Sequence, residues 1–227
     1  MVRSRSPTFK VRVLGELACF TRPELKVERV SYPVMTPSAA RGVLESVLWK
    51  PAIRWRVERI HVLAPIRFVT VKRNEVNSKA SPPKAETIAH GGDYRPFFAD
   101  EDRAQRNTMA LADVDYLVEA HFFMTECAGP EDNLTKFVEM FQRRLQRGQC
   151  FQQPYLGCRE FAAHLRPGEM APPPIDEDRD LGWMLWDIDH DGPDGRVARF
   201  FKATLKKGVL AVPERPDDGL DVEGGAS

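Results

Sequence analysis

The sequence of 227 residues lacks the features that mark several large classes of protein. No apolar run approaches the roughly 18 residues that a helix needs to cross a bilayer. The first fifteen residues, MVRSRSPTFKVRVLG, carry charge without an apolar core behind it, so they do not resemble a secretory signal. We therefore expect a cytoplasmic protein with no membrane partner.

Cysteine is scarce, and the motifs of common catalytic sites are missing. The four cysteines form no CxxC pair, which argues against a zinc site, and we expect them to be reduced thiols. The sequence has no HExxH, no Gly-x-Ser-x-Gly elbow, no Walker loop and no dinucleotide-binding fingerprint. We expect no cofactor and no metal.

One acidic stretch, DIDHDG at 187–192, has the opening of a calcium-binding loop. Ala198 occupies the twelfth position, where a bidentate glutamate belongs, and no pair of helices flanks the stretch. The Gly, Pro and Asp of DGPDG favour a turn between two strands instead.

Charge is unevenly placed although the formal net charge is zero. Residues 1–80 contain sixteen Lys/Arg and six Asp/Glu, a balance of +10, whereas residues 167–195 contain one Arg and nine Asp/Glu, a balance of −8. A basic region of this size commonly meets an anion such as a nucleic acid, or another subunit. The alternative is ordinary solvated charge. The acidic segment is expected to lie away from any RNA.

Periodicity predicts an α+β fold. Alternating apolar residues predict strands in TFKVRVL, in AIRWRVERIHVLAP with a bulge near Glu58–Arg59, in DVDYLVEAHFFM and in YLGCREFAAHL. Helical spacing predicts a helix that Thr36 caps and Pro37 opens, and a second helix in NLTKFVEMFQRRLQRGQ that stops at Gly148. Residues 64–71 are a candidate for one more short strand.

The order of these elements is that of a ferredoxin-like, RRM-like βαββαβ domain, which we place at residues 1–166. A proline-rich joint, RPGEMAPPPID, is predicted to separate it from a small C-terminal antiparallel β-sheet at 167–227. That sheet would contain three short strands, in GWMLWDID, VARFFKATL and GVLAVP, and end in a disordered tail.

A long irregular insertion is predicted between the second strand and DVDYLVEAHFFM, over residues 72–110. Its cations are interleaved with aromatic residues, a pattern that suits RNA because phosphates pair with cations and unpaired bases stack on rings. The alternative is a mobile polar loop. The residues concerned are Lys72, Arg73, Lys79, Lys84, Tyr94, Arg95, Phe97, Phe98, Arg103 and Arg106.

The second predicted helix has an apolar stripe on one side and cations on the other. Lys136, Arg143 and Arg147 follow at spacings of seven and four, so they line one face, while Glu139 can pair with Arg143 at i and i+4. That face is either a solvated surface or a phosphate-binding one.

Several stretches together carry a family likeness: ACFTRPELKVERVSYPVMTPSAARGVLESVLWKPAIRWRVERIHVLAPI, QRNT, DVDYLVEAHF, RRLQRGQCFQQPYLGCREF and DLGWMLWDID. They resemble the subtype I-C CRISPR-associated pre-crRNA-processing endoribonucleases of the RAMP superfamily. The likeness covers nearly the whole chain and agrees with the βαββαβ order.

The resemblance implies a function. Such proteins bind the stem-loop repeat of a CRISPR precursor RNA, cut it at the base of the stem without a metal, and stay on the 5′ handle of the crRNA within the interference complex. The 2′-OH attacks the adjacent phosphorus and leaves a 2′,3′-cyclic phosphate. Such a site needs a group that takes a proton, a cation for the phosphorane and a proton donor.

The resemblance also assigns residues. In the family a Tyr or His precedes the Trp of the first helix, and a Lys-His pair opens the second; here these positions hold Leu48 and Lys136-Phe137. Lys136 is therefore the expected catalytic residue, and substitutes for the missing proton-transfer groups could be Tyr32, Tyr155 or His121. The expected RNA-binding residues are Arg41, Arg103, Arg106, Arg143 and Arg147.

Three functions stay open at this point. The chain could be a metal-independent endoribonuclease that matures CRISPR RNA, or a non-catalytic RNA-binding subunit of the same complex. It could also be a general nucleic-acid binder that takes double-stranded DNA, because phosphate contacts carry no sequence information.

Overall fold

One nine-stranded sheet runs through the protein in a computed structural model, which describes residues 4–25, 27–78, 89, 98–192 and 195–217. Its strands lie in the order β6-β1-β5-β3-β9-β8-β7, and β2 and β4 pair with β5 outside this path. The pairings are antiparallel except for that of the two-residue β2. The described strands are β1 (Phe9–Ala18), β2 (Arg29–Val30), β3 (Ile53–Val62), β4 (Phe68–Val76), β5 (Arg103–Met124), β6 (His164–Pro167), β7 (Arg179–Gly192), β8 (Gly195–Lys206) and β9 (Val209–Ala211).

Two helices of the described residues, α1 (Pro37–Val47) and α2 (Leu134–Gln146), pack on one face of this sheet. The predicted start of α1 and the predicted end of α2 are confirmed. The Thr36 side chain accepts a hydrogen bond from the Ala39 N–H at 3.2 Å, and Pro37 opens α1. Gly148 adopts φ 63° just after α2, a backbone conformation that glycine tolerates at little cost.

The core lies between the helices and the sheet. Phe141 of α2 places its ring 4.8 Å from that of Phe9 and 4.7 Å from that of Trp55, and Phe122 completes the group. Alternation explains this packing, because every second residue of β1, β3 and β5 faces the helices. The bulge predicted in β3 is confirmed by a register shift between Val57 and Arg59.

The connections between the first strands of the sheet pass over its neighbours. β1 and β3 both run antiparallel to β5, which lies between them, and α1 connects them. β5 and β6 both run antiparallel to β1, which lies between them, and α2 connects them.

Two expectations about these strands are wrong. The insertion is not irregular from residue 72, because β4 pairs with β5 from Phe68↔Leu111 to Val76↔Arg103 and extends β5 to 22 residues. The middle of the insertion, apart from residue 89, lies outside the described residues. The stretch YLGCREFAAHL is a strand only from His164, because Gly157 turns the chain at φ 82° against the backbone of Cys19.

The C-terminal strands do not form a separate sheet. β7, β8 and β9 are antiparallel as predicted, but β9 pairs with β3 from Arg59↔Ala211 to His61↔Val209 and so continues the main sheet. β7 and β8 form a hairpin in which Gly192 pairs with Gly195, and the two residues of DGPDG between them, Pro193 and Asp194, lie outside the described residues. A boundary between domains at residues 166 and 167 stays a prediction.

The proline-rich joint is tied to the sheet rather than being a loose linker. The Gly168 N–H donates to the Lys10 carbonyl and the Ile175 N–H donates to the Val62 carbonyl, both at 2.9 Å. A Cβ at Gly168 would meet the Leu117 side chain, which points away from the helices. Residues 168–175, the crossing segment, therefore cover part of the sheet face opposite the helices.

Neither α1 nor α2 is long and apolar enough to cross a membrane, and this statement covers the described residues.

Candidate nucleic-acid interface

Lys136 lies in the first turn of α2 with its side chain exposed. Asn133 caps this helix by accepting a hydrogen bond from the Lys136 N–H at 2.9 Å. The Lys136 ammonium lies 3.3 Å from the Asp132 carboxylate, one turn earlier. A hydrogen bond from the Gly129 N–H, together with Lys136, lowers the pKa of Asp132, so this carboxylate is ionised at neutral pH.

The resemblance assigns proton-transfer groups to positions 48 and 137, and both of these residues belong to the core. Leu48 and Phe137 are 0% and 2% exposed, and both belong to the cluster beneath the helices. Burying a phenylalanine contributes about 1.5–3 kcal/mol to folding, which accounts for Phe137 without any catalytic role. The Leu48 backbone forms one hydrogen bond with a side chain, because its carbonyl accepts from the Trp55 indole N–H at 2.9 Å.

The end of α1 lies along α2 and adds residues that the motif search missed. The Arg144 guanidinium donates to the Val47 carbonyl at 2.8 Å, and Lys50, three residues further, acts electrostatically on Asp132. Between them Trp49 is 59% exposed. An exposed indole followed by a lysine, directly after the helix, was the available signal in VLWKP.

Arg143 and Arg147 are exposed on the same helix, and the described residues contain no ion pair between Arg143 and Glu139. Both guanidinium groups are therefore open to an anion. We use the term basic surface for Trp49, Lys50, Lys136, Arg143 and Arg147. It combines four cations with an indole, which suits single-stranded RNA.

Arg103 and Arg106 lie elsewhere, at the start of β5 in the β4–β5 hairpin. Arg103 is exposed, and Arg106 donates to the Asn77 side-chain oxygen at 3.3 Å. Arg73 of the same hairpin is structural, because it binds Glu75 and Glu160 and donates to Thr108. Lys79, Lys84, Tyr94, Arg95 and Phe97 lie outside the described residues.

Arg41 is held between two carboxylates. Its guanidinium lies 2.7 Å from Glu45 on α1 and 2.7 Å from Asp187 on β7. Burial alone would lower the pKa of Arg41, but these carboxylates raise it. The pair attaches α1 to β7 and neutralises the charge that was expected to meet RNA, so an RNA contact by Arg41 stays a prediction. It also places Asp187 of the acidic segment beside Arg41, and the expectation that this segment lies away from RNA stays a prediction.

The structure separates one candidate substitute, His121, from Lys136. His121 lies on the face of β5 opposite the helices, where its Nδ1 meets the Glu58 carboxylate, so the sheet stands between it and α2. Tyr32 is buried beneath Arg22, and burial raises its pKa to about 12. Tyr155 is half-buried in the turn before β6, paired with Ala162.

The described residues contain no group of three His, Cys, Asp or Glu side chains that could hold a metal ion.

Known proteins resemble this chain along most of its length. A sequence model of a CRISPR-associated protein family, Cas5, of the Cas5d type, matches residues 8–213. A protein of Mannheimia succiniciproducens named CRISPR pre-crRNA endoribonuclease Cas5d is 49% identical over 213 residues, covering 90% of this chain and 94% of its own. A protein of the same name from Thermus thermophilus is 42% identical over 221 residues, covering 90% of each.

A solved structure supports the fold. The crystal structure of a CRISPR-associated protein superposes with a TM-score of 0.69 at 23% identity, covering 96% of this chain and 98% of the other.

Proposed function

The chain belongs to the Cas5 family of CRISPR-associated proteins, and from this premise we propose that it is a metal-independent endoribonuclease that binds and cuts the repeats of a CRISPR precursor RNA. It then stays on the 5′ handle of the product as a subunit of the interference complex. The observation that carries the proposal is 49% identity, over 90% of this chain, to a protein named a CRISPR pre-crRNA endoribonuclease.

We also propose that the strands β1, β3, β5 and β6 with both helices form a ferredoxin-like, RRM-like unit. The support is the order β6-β1-β5-β3 together with the two interleaved βαβ connections. In this arrangement α1 and α2 share one face, which brings the end of α1 beside the start of α2.

The proposed reaction needs little covalent chemistry from the protein. The 2′-OH loses its proton and its oxygen bonds to the adjacent phosphorus, while the bond from phosphorus to the 5′ oxygen breaks and that oxygen takes up a proton. Lys136, assisted by the positive end of the α2 dipole, stabilises the charged phosphorane. It must first exchange Asp132 for the phosphate.

Proton transfer is the weak part of this site. A general acid or base contributes roughly 10²–10⁴ in rate, and the family positions for these groups hold buried Leu48 and Phe137. We therefore propose a slow enzyme. An enzyme that turns over once and keeps its product can work at such a rate.

The first prediction concerns Lys136. Lys136→Ala should lower the single-turnover cleavage rate by roughly 10²-fold or more at saturating RNA, because the phosphorane loses its cation. RNA affinity should fall only slightly. The measurement uses purified protein, the labelled cognate repeat and EDTA, with product ends tested for a 2′,3′-cyclic phosphate.

Arg143→Ala is the matched control, since it removes a cation from the same helix. It should weaken binding and leave the rate at saturation unchanged. Equal losses in both variants would make Lys136 an ordinary phosphate contact. Binding without any cleavage by the wild-type protein would instead identify a non-catalytic RNA-binding subunit. Binding to double-stranded DNA stays a separate prediction, tested by competition with unrelated duplex at ~0.15 M salt.

A further inference from the structure

Two buried thiols are neighbours where the end of β1 meets the turn before β6. The Cys19 N–H donates to the Leu156 carbonyl at 3.0 Å, and Gly157 passes so close that a Cβ on it would overlap the Cys19 carbonyl. The Cys158 thiol, next along the turn, donates to that same carbonyl at 3.7 Å. The fold therefore brings together two cysteines that are 139 positions apart in the sequence.

Each of these thiols changes the ionisation of the other. The hydrogen bond between them raises the pKa of Cys19 and, together with Arg29, lowers the pKa of Cys158 to about 6. Cys158 is therefore mostly a thiolate at neutral pH, whereas Cys19 keeps its proton. A thiolate beside a protonated thiol is suited to forming a disulfide, because the thiolate is the nucleophile in thiol oxidation.

Arg29 distinguishes this pair from ordinary core cysteines, which serve as small apolar side chains. Its guanidinium lies 3.4 Å from the Cys158 sulfur, 3.3 Å from the Glu75 carboxylate on β4 and 3.2 Å from the Glu160 carboxylate. A neighbouring guanidinium stabilises a thiolate. The Cys158 sulfur therefore keeps its reactive form although the residue is buried.

Exposure decides which sulfur an oxidant meets first. Cys19 is 0% exposed and Cys158 is 7% exposed, so a molecule close to water in size, such as hydrogen peroxide, reaches Cys158. The Cys158 thiolate bonds to one peroxide oxygen, the O–O bond breaks, and the departing hydroxide takes a proton from solvent to become water. The product on Cys158 is a sulfenic acid.

Cys19 completes the reaction. Its sulfur bonds to the Cys158 sulfur while the S–O bond of the sulfenic acid breaks, and the departing hydroxide combines with the Cys19 proton to give a second water. Two thiols are thereby oxidised to one disulfide, and one hydrogen peroxide is reduced to two waters.

We propose that Cys158 is an oxidation site at which hydrogen peroxide produces a reversible Cys19–Cys158 disulfide, which fastens the turn before β6 to the end of β1. Both thiols are free in the structure. A crosslink stabilises a protein mainly by restricting the unfolded chain, and more so when the closed loop is long, as it is here. Oxidation therefore makes the protein harder to unfold, and a dithiol reductant reverses the change. This inference does not depend on the proposed RNA cleavage.

The test uses the full chain without its two exposed cysteines, Cys127→Ser/Cys150→Ser, as the parent protein, so that no other thiol competes. Hydrogen peroxide should produce one disulfide within the chain, seen by mass spectrometry of an unreduced digest as two peptides joined through Cys19 and Cys158. The melting temperature should rise by roughly 4–16 °C and return to its starting value after dithiothreitol. Absence of this crosslink, or a crosslink between chains in its place, would overturn the proposal.

Arg29→Gln in the parent protein tests the source of the reactivity. An opposite charge this close shifts a pKa by about 1–3, so its loss should slow oxidation at pH 6 roughly 5-fold or more and move the midpoint of the rate–pH profile upward. Arg73→Gln is the matched control, because Arg73 binds the same carboxylates, Glu75 and Glu160, and among the described residues does not contact Cys158. Equal slowing in both variants would overturn the assignment of the reactivity to Arg29.

Two further variants of the parent protein separate the steps. Cys19→Ser should still react with peroxide but stop at the sulfenic acid, which dimedone captures on Cys158. Cys158→Ser should not react. Oxidation of Cys158→Ser at the rate of the parent would overturn the proposal, and so would capture of the sulfenic acid in the parent with no crosslink. Circular dichroism checks that both variants fold, and the crosslink in the parent decides the proposal if either does not.

Discussion

At the residue scale, two histidines on the helix-free face of the sheet are kept neutral by their surroundings. Burial lowers the pKa of His61 and of His121, and in both cases this effect exceeds the opposing pull of a nearby carboxylate, Glu119 for His61 and Glu58 for His121. Both side chains therefore act within the sheet, His61 against Glu119 and His121 against Glu58.

The depressed pKa values predict how stability depends on pH. A histidine whose pKa is lower in the folded protein binds protons more readily when unfolded, so its contribution to stability is complete above about 6.5 and is lost as pH falls below that value. We expect the urea midpoint to fall between pH 7 and pH 5. The His61→Gln/His121→Gln variant should show a shallower fall.

His164→Gln is the control, because this side chain is exposed on β6, and it should leave the slope unchanged. Cys158 changes charge in the same range, since the Cys19 thiol and Arg29 lower its pKa to about 6. All compared variants keep Cys158. An unaltered slope in the double variant would assign the pH dependence to Cys158 or to carboxylates.

At the scale of elements, the Arg41–Asp187 ion pair links α1 to β7. The Arg41–Asp187 pair and the Arg67–Asp113 pair have the same 2.7 Å separation, but the side chains of the first are 25% and 16% exposed and those of the second 61% and 66%. We therefore expect the less exposed Arg41–Asp187 pair to contribute more to the free energy of unfolding than the exposed Arg67–Asp113 pair.

We predict that Arg41→Ala lowers the free energy of unfolding by about 1–3 kcal/mol, because Asp187 is left partly buried without its partner. A double-mutant cycle with Asp187→Ala should give a clear coupling energy. The matched cycle at Arg67 and Asp113 should give no more than about 1 kcal/mol. Equal coupling in both cycles would contradict this assignment, and loss of RNA affinity in folded Arg41→Ala would restore its predicted RNA contact.

Local sequence patterns predicted the helix ends and the β-bulge, because these features depend on residues that are close together in the chain. Thr36, Pro37 and Gly148 marked the helix ends, and the phase slip near Glu58–Arg59 marked the bulge. The β4–β5 hairpin was missed because its residues are mostly exposed on both faces and so lack an apolar alternation. Phe137 could be placed in the core from its helical spacing.

The site was predictable only in part, for a physical reason. Exposed cations on α2 follow from helical periodicity, but the neutralisation of Arg41 by Asp187 joins residues 146 positions apart. The contact of the Arg56 guanidinium with the Trp186 ring joins distant strands in the same way. No local pattern records such pairings, because they arise only when distant strands meet.

At the scale of the whole molecule, the continuous sheet predicts one cooperative unit. β9 is hydrogen-bonded to β3, the crossing segment is held at Lys10 and Val62, and Lys207 and Gly208 turn the chain at φ 46° and 70° to join β8 to β9. Urea unfolding followed by tryptophan fluorescence and by circular dichroism should give coincident transitions.

Truncation offers a sharper form of this prediction. A chain ending at residue 166 should lose cooperative unfolding, because Leu117 and the edge of β3 lose their cover. A chain ending at residue 217 keeps all the contacts described above and should unfold like the full protein. A stable, cooperatively folded 1–166 fragment would instead support the domain boundary that the sequence predicted.

The crossing segment has a consequence for biosynthesis. The strand that closes the edge of β3 ends at Ala211, 43 positions after Gly168 begins to cover Leu117. At ribosomal speeds of about 5–20 residues per second, roughly 2 to 9 s separate these two events. During that interval the backbone groups of Arg59–His61 on β3 have no partner strand, so the nascent chain presents an unpaired edge to other chains until β9 is made.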